Sequence, residues 1–142
     1  RSSAASDVYK RQQLDQPNVD IYDPITDSWS AGPSLPYGHS HSEGATFTHD
    51  NRIWMVGGHT TRDGGTKGLC ENILSLGEGE DKWELTYKLP RKLSSPAAKV
   101  VHGRLYVAGG FDFVRMKSGN AYWADRQLSS AEVLVTDLPV RG

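Results

Sequence analysis

Hydrophobic and polar positions alternate in short runs along this chain, and the runs are separated by glycine, proline, aspartate and asparagine. Alternation with a period of two is typical of β-strands that bury one face. It predicts strands at 19–22, 28–31, 44–49, 52–57, 71–76, 82–86, 97–101, 104–109 and 131–136. No stretch shows the period of an amphipathic helix, so the chain is predicted to be all-β.

The pattern of the chain also repeats. Residues 19–36 overlay residues 73–90 at a shift of 54, and residues 52–58 overlay residues 104–110 at a shift of 52. A period of about fifty residues that contains a Trp and ends a strand in Gly-Gly is typical of β-propeller blades. The structural positions of the repeat are Trp29, Gly57, Gly58, Trp83, Gly109 and Gly110.

These repeated residue types suit crowded, wedge-shaped blades. Two glycines at a strand end allow backbone angles and a closeness of approach that a Cβ would forbid. The indoles of Trp29 and Trp83 are large enough to fill the space between neighbouring sheets, and we expect both in the core.

Residues 22–29 read Tyr-Asp-Pro-Ile-Thr-Asp-Ser-Trp, and with the Gly-Gly strand ends this resembles the kelch-repeat β-propeller family, which includes galactose-oxidase-like proteins. The second copy departs from the pattern, with Leu76 and Gly77 where Tyr-Asp is usual. The resemblance covers roughly residues 19–137. It implies four-stranded antiparallel blades, with 15–36 a half blade, 37–90 a full blade and 91–142 a partial blade.

About two and a quarter blades cannot close a ring, since propellers have about four to eight. We therefore expect further blades, either from a longer native chain of which this is a fragment or from other copies. Residues 1–14 share nothing with the repeat and are predicted to be a non-propeller leader of cloning or sequencing origin, with a native flexible arm as the alternative.

Composition excludes few functions. The 16 basic residues are balanced by 17 acidic ones and form no run, so no nucleic-acid partner is predicted. No apolar stretch approaches the length of a membrane span. The single cysteine, Cys70, has no partner for an internal disulfide, and the compartment is left open between cytoplasmic and secreted.

The direction of successive strands predicts where binding residues lie. In an up-and-down sheet, the connection between the second and third strands emerges on the same face as the connection between blades. The long segments at 31–42, 59–70, 87–96 and 111–130 therefore share one face. Long loops on a rigid scaffold are where binding residues concentrate.

Histidines on this face are the first candidates. His39, His41 and Glu43 are spaced at i, i+2 and i+4, which on an extended segment places them on one side, and His59 follows the first Gly pair. Such residues are ligands for zinc or copper. The preferred interpretation is that they are polar anchors between loops, so no metal or cofactor is assigned.

The other binding candidates are Arg62 in the second long segment and Asp112, Arg115, Tyr122 and Trp123 in the last one. Trp123 lies outside the repeat register and has no assigned core position. Exposed aromatic residues and arginines are common anchors of binding surfaces and suit stacking on sugar rings. The alternative is that Tyr122 and Trp123 only hold a long loop against the propeller.

The resemblance implies a non-catalytic module whose long-loop face binds a protein or peptide partner. The alternative is part of an extracellular carbohydrate-active or sugar-binding protein of the galactose-oxidase-like type. A copper-radical oxidase would need a Tyr-Cys crosslink, and the sequence assigns no tyrosine to Cys70. No catalytic residues are predicted, and the balance is against an enzyme.

Overall fold

The computed structural model describes residues 15–62, 66–118, 121–129 and 131–138. The predicted leader at 1–14 lies outside these ranges. The elements are β1 (Asp20–Asp23), β2 (Ser28–Ala31), β3 (Gly38–Ser40), a 3-10 helix (Glu43–Ala45), β4 (Thr46–His49), β5 (Arg52–Val56), β6 (His59–Arg62), β7 (Thr66–Leu69), β8 (Asn72–Gly77), β9 (Glu84–Lys88), β10 (Ala97–Val101), β11 (Arg104–Ala108), β12 (Phe111–Ser118), β13 (Ala121–Ser129) and β14 (Val133–Asp137). The described residues contain no α-helix, which confirms the all-β prediction.

The centre of the fold is an antiparallel sheet of four strands in the order β4-β5-β8-β9. The hairpin β1-β2 precedes it in the chain, and a three-stranded antiparallel sheet, β10-β11-β14, follows it. This is the blade architecture that the repeat predicts. The blade boundaries at 36/37 and 90/91 stay predictions.

The predicted strands are confirmed, with ends that differ by about two residues at most. The prediction is wrong in treating the long segments as loops without strands. The segments at 31–42 and 59–70 supply a three-stranded sheet, β3-β6-β7, and the last one forms the hairpin β12-β13. The strands β3, β6 and β7 have only three or four residues, too few to show a clear alternation of hydrophobic and polar positions. Pairing with neighbouring strands stabilises them more than their own residue types do.

The same backbone hydrogen bonds recur at the predicted shift of 54. The amide of Leu35 donates to the carbonyl of Pro17, and the amide of Leu89 donates to that of Glu71. Likewise, His39 N–H donates to Gln16 and Leu93 N–H donates to Cys70. Each of these two hydrogen bonds thus occurs once in each copy of the repeat. The repeat therefore extends back to residue 16.

The hydrophobic core lies between the four-stranded sheet and the three-stranded sheet β10-β11-β14. Trp54, Val56 and Ile73 of the four-stranded sheet pack in one buried cluster with Leu105 and Val107 of the following sheet. The core therefore joins one blade to the next, as neighbouring blades of a propeller require.

The two repeat tryptophans lie in different surroundings. The indole N–H of Trp83 donates to the carbonyl of Pro33 at 2.9 Å, which connects the full blade to the preceding segment. Trp29 is 70% exposed and contacts Tyr22, with ring centroids 5.0 Å apart. Its assignment to a core between neighbouring blades stays a prediction. Trp29 pairs directly with Tyr22 and shares its face, whereas Ile21 faces the full blade, so Trp29 lies on the side away from that blade.

The Gly pairs allow the inner backbone segments to approach one another. Gly57 and Gly58 have φ of 65° and 98°, a region that favours glycine. A Cβ on Gly58 would lie 2.5 Å from the carbonyl oxygen of Ser40, and one on Gly110 would lie 2.7 Å from that of Ser94. Ser40 and Ser94 are 54 residues apart, so both copies of the repeat use the second glycine for the same contact.

We expect Gly58→Ala to lower the free energy of unfolding by about 3 kcal/mol or more, since it adds a backbone clash to the strain of positive φ. Gly79→Ala is the matched control, because Gly79 has φ of 75° but no other atom within 4 Å of the place that the added methyl carbon would take. Its cost should be about 1 kcal/mol. Urea denaturation of the protein that carries this sequence measures both values, and equal losses would contradict the contact assigned to Gly58.

Candidate functional site

Connections from successive sheets meet on one side of the fold. The amide of Gly58 donates to the carbonyl of Leu93 at 2.7 Å, and the amide of Ser95 donates to that of His41 at 3.0 Å. Ser94 and Phe111 exchange two backbone hydrogen bonds of 2.9 and 3.0 Å. The long segments thus share a face through direct contacts, which is the arrangement that strand direction predicts.

Two of the predicted histidines form a stacked pair at this junction. The rings of His41 and His59 have centroids 4.1 Å apart and planes inclined by 19°. Ser40 Oγ lies 2.8 Å from His41 Nδ1, and Ser94 Oγ lies 2.7 Å from His59 Nε2. Since Ser94 is fully buried and belongs to the connection to the next blade, His59 joins two blades. His41 is exposed on the same surface.

Asp15, the first described residue, is hydrogen-bonded to this cluster. Its carboxylate accepts hydrogen bonds from the hydroxyls of Ser40, at 2.6 Å, and Thr61, at 2.7 Å. Hydrogen bonds to a carboxylate are among the stronger ones in proteins. The serine beside the His41 ring is therefore held from two directions, by the imidazole and by Asp15.

His39 and His59 are both half-buried, whereas His41 is exposed. The Nδ1 of His39 lies 3.3 Å from Ser42 Oγ. Burial holds the pKa of His39 below its usual value of 6.5, against smaller opposing effects of a hydrogen bond to the Gly57 backbone and of the Asp15 charge. His39 is thus a neutral structural side chain near pH 7, whereas His41 and His59 form the outer pair.

The expectation that His39, His41 and Glu43 lie on one side of an extended segment is wrong. The backbone turns at His41, where φ is 56°, and Glu43 begins the 3-10 helix. Side chains at i, i+2 and i+4 lie on one side only along a continuous strand. The spacing of these three residues therefore does not place them on one side. Within the described ranges, no three His, Cys, Asp or Glu side chains are grouped so that they could hold a metal ion.

The other predicted site residues are only partly described. Asp112 is half-buried near the start of β12. The side chains of Arg62, Arg115, Tyr122 and Trp123 lie outside the described atoms. In the hairpin β12-β13, the backbone of Tyr122 pairs with Lys117 and that of Trp123 pairs with Met116. Their assignment to the binding surface stays a prediction.

Two sets of residues at this face were missed by sequence reasoning. Ser94 occupies the position of Ser40 at the shift of 54, and that overlay was the available signal for its role. Tyr37 was also missed: its hydroxyl lies 3.6 Å from the buried Cys70 Sγ and accepts a hydrogen bond from the Asn72 amide at 2.5 Å. Tyr37 and Cys70 are 33 residues apart, so no local pattern joins them.

Charged residues are unevenly distributed between the long segments and the short turns of the sequence. The four long segments carry eight basic and three acidic residues, namely Arg62, Lys67, Lys88, Arg91, Lys92, Arg115, Lys117 and Arg126 against Asp63, Asp112 and Asp125. The short turns at 23–27, 49–51, 77–81 and 102–103 carry six acidic residues, namely Asp23, Asp27, Asp50, Glu78, Glu80 and Asp81, and the β8–β9 connection also contains Lys82. Among the described side chains of the long segments, Lys88 forms an ion pair with Glu71 and Arg91 forms one with Glu132.

We expect the His39 environment to make stability depend on pH. Because the pKa of His39 is lowered on folding, the unfolded chain binds a proton more readily, and stability present above about pH 6.5 declines as the pH falls. Urea denaturation at a series of pH values between about 7.5 and 5 should show this decline reduced in His39→Gln. The exposed His102 in a turn supplies the control His102→Asn; an unchanged pH dependence in His39→Gln would contradict the role given to burial.

Within the part of the chain that the structure describes, no helix has the length and apolar character needed to cross a membrane.

Comparison with known proteins agrees with this architecture. No family model matches the chain. Kelch-like protein terF of Aspergillus terreus (strain NIH 2624 / FGSC A1156) is 28% identical over 95 residues, which cover 66% of this chain and 21% of terF. The structure of YjhT, a kelch-type propeller protein, matches with a TM-score of 0.53 at 16% identity and covers 70% of this chain and 35% of YjhT. The chain thus spans about a fifth of terF and about a third of YjhT.

The fold match to YjhT agrees with the architecture that the repeat, its recurring hydrogen bonds and the four-stranded sheet indicate, and the relative in sequence is described as kelch-like. The described residues have the fold of kelch-type β-propeller blades.

Proposed function

We propose that the long-segment face binds a peptide segment of a partner protein and catalyses no reaction. One observation carries the proposal: connections from successive blades are hydrogen-bonded to one another around the His41–His59 stack. A surface held in this way is organised before a ligand arrives, and preorganisation reduces the entropy that binding costs.

The charge of this face favours an acidic peptide. Its segments carry eight Lys or Arg residues against three Asp residues, and two of these cations, Lys88 and Arg91, form ion pairs with Glu71 and Glu132 beside the segments. Complementary charge speeds association and selects partners by sign. His41 adds an exposed imidazole that is a hydrogen-bond donor or acceptor at the junction of the blades.

Selection of a random phage-displayed peptide library on the protein that carries this sequence should enrich peptides rich in Asp and Glu. We expect His41→Asn to weaken binding of a selected peptide by about tenfold in calorimetry, roughly the loss of one favourable polar contact. Asparagine tolerates the positive φ of His41, so this change removes the ring and spares the backbone. Trp123→Ala should also weaken binding while leaving the melting temperature unchanged.

Glu78→Gln is the matched control, since Glu78 lies in a turn on the opposite face and should leave this affinity unaltered. If no peptide is selected and the protein instead binds sugars on a glycan array, the peptide proposal fails and the carbohydrate alternative replaces it. If Trp123→Ala causes a large loss of stability, Trp123 is a core residue.

A further inference from the structure

The ring of His41 is held from two directions. Its Nδ1 lies 2.8 Å from the hydroxyl oxygen of Ser40, and one face of the ring stacks on His59 with centroids 4.1 Å apart. The backbone is held as well, because the amide of Ser95 donates to the carbonyl of His41 at 3.0 Å. His41 is nevertheless exposed, so the long-segment face presents a fixed imidazole at the junction of the blades.

The hydrogen bonds of Ser40 determine which ring nitrogen of His41 carries the hydrogen. The hydroxyl of Ser40 has one hydrogen, which it donates to the carboxylate of Asp15 at 2.6 Å. Its oxygen is therefore an acceptor toward His41, and Nδ1 of the neutral ring is the donor. Nε2 then has a lone pair and no hydrogen. The hydrogen bonds from His41 through Ser40 to Asp15 thus fix the Nδ1–H tautomer.

Asp15 is itself held in place by Thr61. One of its carboxylate oxygens accepts from the Thr61 hydroxyl at 2.7 Å, and its amide donates to the same hydroxyl oxygen at 3.2 Å. Thr61 is buried in β6, so the carboxylate is kept beside Ser40. The direction of the Ser40 hydrogen bond, and with it the tautomer of His41, is therefore determined by the fold.

The position of His41 is strained in both copies of the repeat. His41 has φ of 56°, and Ser95, which overlays it at the shift of 54, has φ of 49°. Glycine and asparagine adopt this conformation at less cost than histidine or serine. Strained residues other than glycine are concentrated at ligand sites. Both strained residues are exposed, so each copy presents one of them at the junction of the blades.

Several titratable groups surround the histidine pair, and they come from every element around it. They are Asp15 before β1, His39 in β3, Glu43 in the 3-10 helix, His59 in β6 and Asp112 in β12. The connection at 87–96 presents the neutral hydroxyl of Ser94 to His59. Since carboxylates and imidazoles titrate between about pH 4 and 7, a pH effect belongs to His41 only if replacement of His41 removes it.

From this geometry we infer that His41 is a proton-dependent contact for a carboxylate of the ligand, and that Asp15 and Ser40 are its positioning residues. With the hydrogen fixed on Nδ1, the neutral ring offers only the lone pair of Nε2, which repels a carboxylate. Once Nε2 takes up a proton, it donates a charge-assisted hydrogen bond to that carboxylate. Affinity for an acidic peptide therefore rises as the pH falls through the range in which imidazoles titrate. The ligand class rests on the proposed function, whereas the tautomer does not.

The tautomer is tested without a ligand, in the protein that carries this sequence. Long-range proton–nitrogen correlation NMR spectra distinguish an Nδ1–H ring from an Nε2–H ring, and His41→Asn identifies the signals of His41. At about pH 7.5 we expect the Nδ1–H form at His41. In Ser40→Ala we expect the Nε2–H form, which an unconstrained imidazole in water prefers. A predominantly Nε2–H ring at His41 in the unmodified protein would overturn the inference.

Binding is measured by fluorescence anisotropy with a fluorescein-labelled, amidated hexaglutamate peptide, and hexaglutamine is the uncharged control. Affinity of the unmodified protein for hexaglutamate should rise about fourfold from about pH 7.5 to about pH 6, with no rise for hexaglutamine. Ser40→Ala frees the tautomer, so that Nε2 donates to a carboxylate without an added proton. The rise should then shrink to less than about twofold, mainly through tighter binding at the higher pH. Ser40→Thr keeps the hydroxyl and should restore the rise.

Ser28→Ala is the matched control, because Ser28 also has a hydrogen-bonded hydroxyl but lies beside the 23–27 turn on the opposite face. It should leave the pH dependence unchanged, whereas His41→Asn should abolish it. The weakening of about tenfold expected of His41→Asn accordingly applies at about pH 6. If Ser40→Ala alters the melting temperature, the tautomer of the unmodified protein still decides.

Three binding results would overturn the inference: a rise that persists in His41→Asn, equal rises in Ser40→Ala and Ser28→Ala, or no binding of hexaglutamate at either pH. None of them contradicts the proposed function, which the selection of Asp- and Glu-rich peptides tests separately. Failure of that selection together with an Nδ1–H ring at His41 would instead reject the acidic ligand, and with it the proton-dependent contact.

Discussion

The contact on which the rest of this fold depends is the approach of the Gly-Gly strand ends to neighbouring backbone carbonyls. At Gly58 and Gly110 a single methyl group would meet a carbonyl oxygen well inside contact distance, and both positions have positive φ. Without that approach, the Gly58 amide could not reach the carbonyl of Leu93. The connection at 87–96 would then not lie against the connection at 31–42. The buried cluster between the two larger sheets requires the same proximity, because Trp54 and Val56 meet Leu105 and Val107 only when the blades are closely packed.

The functional surface follows from this packing. Once the inner strand ends are held together, the long connections emerge beside one another and the histidine and serine side chains link them across blades. The short turns emerge at the other end of the same strands.

Much of the architecture is predictable from sequence, for reasons that particular residues make clear. The strands that carry the core alternate clearly, and Gly57 with Gly58 and Gly109 with Gly110 mark strand ends because few other residues tolerate those backbone angles. The short strands β3, β6 and β7 were not predicted, because pairing with neighbouring strands stabilises them more than the strand preference of their own residues does. Trp29 and Trp83 were assigned to the core because the indole is large enough to fill the space between sheets, but burial depends on what packs against a residue, which the size of a side chain does not determine.

The site was less predictable. The sequence located His39, His41 and His59 on one surface, but it did not show that the backbone turns at His41 or that Ser94 would bond His59 across blades. Side-chain partners between distant segments depend on the packed structure, and a single sequence holds no direct record of them. The overlay of Ser94 on Ser40 was the nearest indication.

Amide hydrogen exchange at Gly58, in the protein that carries this sequence, tests the contact between the blades most directly. We predict that this amide, bonded to Leu93 at 2.7 Å, is protected as strongly as that of Leu74 inside the four-stranded sheet. Gly79, in an exposed turn, gives the rate for an open position. Exchange of Gly58 at the rate of Gly79 would contradict this packing, because it would show that the blades are not held together at the Gly-Gly strand ends.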